Sequence, residues 1–117
     1  RINEIERSLT YGKGTFTYMD KAAVTKGNNK ATDFYSFCAL ASEVLSGHFI
    51  PKITDLDSLM KRDNPTIPEI VPAKLRNCLL SGFDEDQTKR ASWTDVIVAL
   101  RNSKQNIDFI FIYYLKL

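Results

Sequence analysis

Thr32-Asp33-Phe34-Tyr35-Ser36-Phe37-Cys38-Ala39-Leu40-Ala41-Ser42-Glu43-Val44-Leu45-Ser46-Gly47 is the stretch on which the fold turns. Phe34, Phe37, Cys38, Ala41, Val44 and Leu45 recur at helical spacing, which predicts an amphipathic helix over residues 32–46 with that side inward. Thr32 is a suitable cap, and Asp33 puts a negative charge in the first turn, at the positive end of the helix dipole. Gly47 is placed to end the helix in the left-handed conformation. Both sides of its first turns are apolar, so this helix is expected to be largely buried, with the rest of the chain arranged around it.

Upstream, residues 1–30 read as loop. Gly12, Gly14, Gly27 and Asn28-Asn29 punctuate them, and Ile2, Ile5 and Leu9 allow one short helical turn. Downstream, Thr54-Asp55-Leu56-Asp57 has a capping-box pattern and opens a second helix with Leu56, Leu59 and Met60 as its apolar stripe. Pro65, Pro68 and Pro72 mark an extended connector, because each disfavours helix at the residue before it. A third helix starts near Pro72 and buries Leu75, Cys78, Leu79 and Leu80 before Gly82. A polar loop from Asp84 to Arg90 leads to Ser92 and Asp95, a second capping box, and to a fourth helix with Trp93, Val96, Ile97 and Leu100 inward. The predicted class is all-α: four main helices over residues 31–101 around the buried helix 32–46. A tail over 102–117 follows, and its stretch Ile107 to Leu115 reads as a strand or a short hydrophobic helix.

Bulk properties narrow the function classes. A chain of 117 residues fits one small domain or one lobe of a larger one. Its 44% hydrophobic and 26% charged residues are ordinary for a soluble globular protein. The net charge of +2 comes from scattered basic residues, without the basic face that a nucleic-acid partner requires, so none is expected. The longest apolar run, Phe109 to Leu115, is far short of the ~20 residues of a membrane helix, and Arg1 to Arg7 lacks the apolar core of a signal peptide. Cys38 and Cys78 sit in apolar helical patterns without CxxC spacing and read as buried small hydrophobes in a reducing compartment. No membrane contact is expected, and the expected location is the cytoplasm. The chain opens on Arg1 and not on Met, which reads as an excerpt or a processed product.

Several motifs, in order and at the right spacing, resemble the second half of a protein kinase domain. Gly14-Thr15-Phe16-Thr17-Tyr18-Met19 is similar to the Gly-Thr-x-x-Tyr-Met segment that precedes Ala-Pro-Glu at the end of the activation segment. Asp33-Phe34-Tyr35-Ser36-Phe37 resembles the Asp-Val-Tyr-Ser-Phe opening of the central helix of the large C-terminal lobe. Glu43-Val44-Leu45-Ser46-Gly47 continues it as Glu-Leu-Leu-Thr-Gly. Pro65-Thr66-Ile67-Pro68 stands where Arg-Pro-Pro-Ile-Pro is common, and Cys78 to Trp93 is similar to Cys-Trp-x-x-Asp-Pro-x-x-Arg-Pro-Ser-Phe. The match runs from about Gly12 to about Leu100, and the Tyr-Met form points to the serine/threonine-specific, tyrosine-kinase-like group.

By that resemblance the fold is the helical lower half of a kinase C-lobe. Gly14, Thr15 and Tyr18 belong to the substrate-facing activation segment, Asp33 holds the backbone of the catalytic loop, and Arg90 forms a structural ion pair with the glutamate of Ala-Pro-Glu. Here Asp20-Lys21-Ala22 stands at those positions, so Arg90 loses its expected partner. Asp20 is the nearest substitute, and the activation segment is expected to be less firmly tied down. The family's tryptophan after the cysteine appears several residues later as Phe83, and Ala91 replaces the proline after the arginine. Ser8, Thr10 and Tyr11 precede this segment and are candidate phosphosites, with Lys13 or Arg7 as the basic partner a phosphate needs.

The chemistry of phosphoryl transfer is missing from the chain. It needs a phosphate-holding loop, a lysine on the phosphates, a positioned base and magnesium-binding acids. There is no GxGxxG, Val-Ala-x-Lys, His-Arg-Asp or Asp-Phe-Gly; Gly82-Phe83-Asp84 reverses the last. His48, the single histidine, reads as a partly exposed loop residue, and Asp84-Glu85-Asp86 as an exposed acidic loop. No catalytic residue and no metal site is therefore expected in this chain, and ATP and magnesium belong only to a complete domain. Two functions follow. The chain is part of a serine/threonine kinase-like domain completed by an upstream half, or it is an inactive pseudokinase fragment that binds a protein partner. Cutting such a lobe above its central helix exposes Phe34, Phe37 and their neighbours. The tail 107–117 is a better cover for them than the N-terminal 30 residues, so its deletion is expected to lower solubility or stability.

Overall fold

Asn29 starts the central helix. In the structure, a computed structural model that describes residues 16–102, its side chain accepts from the Thr32 N–H at 2.9 Å while the Thr32 hydroxyl accepts from the Asn29 N–H at 2.8 Å. That reciprocal cap sets the first turn at Lys30 and not at Thr32, which serves as the second half of the box. The helix runs Lys30–Ser46, and Gly47, at φ 74° and ψ 10°, closes it through its N–H to the Glu43 carbonyl at 2.9 Å. We number it α2, because a short helix α1, Ala22–Lys26, precedes it within the stretch expected to be loop. Asp20 supports α1: its carboxylate accepts from the Ala22 N–H at 3.0 Å.

Helix α3 (Leu56–Lys61) is capped by Asp55, whose carboxylate accepts from the Ser58 N–H at 2.8 Å; Thr54 does not serve. It buries Leu59 alone, and Leu56 and Met60 are exposed, so the expected three-residue stripe shrinks to one residue. The connector from Arg62 to Pro72 sends Ile67 and Val71 into the core. Helix α4 (Ala73–Ser81) follows Pro72 and buries Leu75 and Leu79. Gly82 lies against α2 so closely that a Cβ there would stand 2.5 Å from the Cys38 sulfur, which is why the end of α4 is glycine. Asp86 opens a 3₁₀ turn, Gln87–Lys89, and the expected box of Ser92 and Asp95 forms at the head of α5 (Trp93–Asn102).

The described residues are thus all-α, with no strand among them. The core lies on one side of α2. Phe34, Tyr35, Cys38 and Ala39 meet Ile67, Val71, Leu75, Leu79 and Phe83, and Val96 and Ala99 close the layer from α5. Each such side chain is worth roughly 1.5–3 kcal/mol of burial, so this layer is the main source of stability.

The inward assignments need correction on two helices. Val44 is 74% exposed and Leu40 50%, because among the described residues α2 has helical neighbours on one side only. On α5, Val96 and Ala99 face inward, whereas Trp93, Ile97 and Leu100 are 43, 49 and 42% exposed. Trp93 still touches the core, with its ring 5.3 Å from Phe34 and 4.7 Å from Phe37. The tail 107–117 and the turn at Ile2, Ile5 and Leu9 lie outside the described residues.

Candidate functional site

Under the N-terminal half of α2, two arginines flank one tyrosine ring. The guanidinium carbons of Arg62 and Arg90 each stand 5.6 Å from the centroid of Tyr35. Such cation–π contacts strengthen when water is excluded, and Tyr35 is buried. Burial raises its phenol pKa, and the positive charge of Arg62 opposes that shift.

Arg90 is saturated. Its Nη1 donates to Asp20 Oδ2 at 2.5 Å and to the Ala31 carbonyl at 2.9 Å, while Nε and Nη2 donate to the Asp84 carbonyl at 3.0 and 2.8 Å. The side chains of the Arg90–Asp20 pair are 3% and 5% exposed. Asp20 reaches Arg90 from two positions earlier than the glutamate of Ala-Pro-Glu, the family residue expected to pair with it.

Arg62 carries no signal in the sequence, yet it grips the same segment. Its Nη1 donates to the Thr17 carbonyl, and its Nη2 donates to the Met19 carbonyl at 2.7 Å and to the Tyr35 hydroxyl at 3.1 Å. The Tyr18 carbonyl accepts from the Ser36 hydroxyl at 2.8 Å, and the Phe16 N–H reaches the Ile53 carbonyl at 3.1 Å. Tyr18 also donates its hydroxyl to Glu43 Oε1 at 2.5 Å, and Glu43 Oε2 accepts from the Ile50 N–H at 2.7 Å. The carboxylate raises the Tyr18 pKa by holding its proton. Every residue from Phe16 to Asp20 is therefore tied to the helical body. Over these described residues Arg62 and Glu43 supply ties that the motif comparison does not contain.

Asp33 is exposed in the first turn of α2. It borders a hollow of about 170 Å³ with Tyr18, Met19, Asp20, Asn28, Thr32 and Ser36. One helical face carries Asp33, Phe37, Leu40 and Val44, so the acid and the exposed apolar residues share a side. His48 is exposed just beyond the other end of the helix. Among the described residues no group of three His, Cys, Asp or Glu converges, and no helix is long and apolar enough to cross a membrane. A second hollow of about 590 Å³ lies between the 48–53 loop and residues 62–66. Gly14, Thr15, Ser8, Thr10 and Tyr11 lie outside the described residues.

Arg62 and Glu43 extend the set of residues read from the sequence. Glu43 had a visible signal, as the acid of the segment similar to Glu-Leu-Leu-Thr-Gly; Arg62 had none, since a basic residue at the end of a short helix is ordinary. Comparison with protein-family models, with curated proteins and with solved structures finds no match.

Proposed function

We propose that this chain is the lower half of the large lobe of a serine/threonine protein-kinase-like domain, and that it works by docking against another polypeptide through the exposed side of α2. The observation that carries the reading is the division of that helix. One side is packed into the core, while the other presents Leu40, Val44 and the carboxylate of Asp33. A 17-residue helix at the centre of a domain ordinarily has neighbours on both sides. In the family, the matching acid meets catalytic-loop backbone from above, so Asp33 stands where an upstream half belongs. The buried Asp20–Arg90 pair supports the same reading, since it keeps the tie between activation segment and late helices although Ala-Pro-Glu is lost.

Phosphoryl transfer from ATP to protein serine or threonine then belongs to the completed domain. On this reading ATP–magnesium is held by the upstream half and not by this chain. The Asp86 carboxylate accepts from the N–H and hydroxyl of Thr88, and the Asp84 carboxylate accepts from the Asp86 N–H. The neighbouring arginines hold backbone carbonyls instead of facing an open phosphate site. A second reading is an inactive pseudokinase fragment whose α2 face binds a protein partner. The loss of Ala-Pro-Glu favours it. Both readings place the chain in the cytoplasm, with a protein and neither nucleic acid nor membrane as partner. Calorimetric titration with ATP–magnesium to millimolar ligand tests the shared premise. A flat isotherm is expected from the chain alone, and saturable binding at micromolar affinity overturns it.

A further inference from the structure

The hollow of about 590 Å³ between the 48–53 loop and residues 62–66 has the size of a small-molecule site and an uneven lining. Phe49, Ile50, Pro51, Ile53 and Pro65 supply apolar walls, and Phe49 stands 90% exposed, an aromatic ring that the fold alone leaves in water. Most of the uncharged polar groups are already engaged. The hydroxyls of Ser42 and Ser46 donate to the Ala39 and Glu43 carbonyls, Ser58 donates to the Asp55 carboxylate, and the Asn64 amide donates to the Phe83 carbonyl. The cations are not. Arg62 donates only to uncharged oxygens, those of Thr17, Met19 and Tyr35, and its Nε is buried without an acceptor. Among the described residues neither Arg62 nor Lys52 has a carboxylate partner. Thr17 brings both to one end: its hydroxyl accepts from the Ile53 N–H at 3.2 Å and its carbonyl from Arg62, so Lys52, next to Ile53, lies on the Arg62 side. Against these two cations the described wall sets one acid, Asp63, while Glu43 behind the loop is engaged by Tyr18 and the Ile50 N–H. A smaller hollow that Arg62 also borders, about 340 Å³, sets Asp20, Asp63 and Glu85 against Lys21, Arg62 and Arg90, a balance that gives an anion no advantage.

We propose that the larger hollow binds a small free acid, with an apolar body seated among Phe49, Ile50, Pro51 and Pro65 and its anionic head towards Lys52 and Arg62. The chemistry follows by elimination. A wholly apolar ligand meets the walls but leaves the two cations without a counter-charge, and a neutral polar one finds most hydrogen-bonding groups taken. An anion supplies the charge that both cations lack, and a charge-assisted contact is stronger than a neutral one. The site is preformed, because Glu43 fixes the loop at Ile50 and the segment of Phe16 and Thr17 fixes it at Ile53. Leu40 and Val44 do not line the hollow, so the inference is independent of the outward side of α2 and of the kinase-like reading.

Anilinonaphthalene sulfonate, an apolar anion whose emission rises when it leaves water, is the probe, titrated into the full chain. A saturable rise is expected, and decanoate is expected to displace the dye. Lys52 and Phe49 are exposed, so their variants are expected to keep the far-ultraviolet helix signal. Lys52→Arg should bind as the parent does, and Lys52→Glu about threefold more weakly or worse, an order that follows charge and not side-chain bulk. Phe49→Ala, which removes wall area without touching the core, is expected to weaken binding as well. Leu40→Lys with Val44→Lys should leave it unchanged. The proposal is overturned by the absence of saturable binding, by an affinity of Lys52→Glu or Phe49→Ala equal to the parent's, or by failure of decanoate to displace the dye. Loss of binding in the Leu40 and Val44 variant also overturns it, since that places the dye on the outward side of α2.

Discussion

Arg90 joins Asp20, Ala31 and Asp84, partners 70, 59 and 6 residues away along the chain. Because the pair is buried, removing one member leaves an uncompensated charge, and Arg90→Ala is expected to lower stability by ~3–5 kcal/mol in urea unfolding. Arg90→Lys should recover little of this, since a point-like ammonium cannot meet three acceptors arranged for a planar fork. Equal stability of Arg90→Ala and the parent chain would show that the pair contributes nothing. Cys38 makes a second residue-level case. Burial pushes its thiol from an ordinary value of 9.0 up to about 12. The folded thiol therefore keeps its proton to higher pH than the unfolded one. This contribution is whole below pH 9 and is lost as the pH rises towards 12, by a few kcal/mol in all. Cys78, Tyr18 and Tyr35 act in the same direction, so the expected signature is a shallower fall of stability above pH 9 in Cys38→Ala, and an unchanged slope would refute the assignment.

Helix α2 shows what can be read from an element and what cannot. Its existence, its left-handed glycine end and the burial of Phe34 and Cys38 were legible in the periodicity, and so was the box at the head of α5. Its inward side was not fully legible. Val44 lies in the same apolar pattern as Phe34, and periodicity cannot say on which side a neighbour stands. The same ambiguity misplaced Trp93, Ile97 and Leu100. The start at Lys30 was hidden because Thr32 is itself a good cap, and Asn28-Asn29 has the composition of a loop. The two sides of α2 should respond differently to change. Phe34→Ala is expected to cost ~3–5 kcal/mol. Leu40→Lys with Val44→Lys is expected to stay within ~0.5 kcal/mol of the parent, because neither side chain has lost much water on folding. Thermal unfolding of the two variants distinguishes them, and a large loss from the lysine pair would show that this face is already covered.

Across the whole molecule, α2 organises the rest: the core fills one of its sides, the segment from Phe16 to Asp20 is pinned under its N-terminal half, and its other side faces outward. Of the residues that the structure brings together, Tyr18 and Arg90 were singled out in the sequence, and Asp20 through the need to neutralise a buried arginine. Arg62 was not, because its role depends on a fold-back of the chain from residue 62 to residue 17 that no local pattern encodes. The account's central claim, that α2 offers its outward side to a missing upstream half, is tested most directly by the coding sequence upstream of Arg1 in the native transcript. The account predicts an open reading frame that carries His-Arg-Asp followed by Asp-Phe-Gly, with Arg1 to Leu117 continuing in frame. A transcript that starts translation close to Arg1, or an upstream region without either motif, would contradict the completed kinase and leave the exposed face to a separate protein partner.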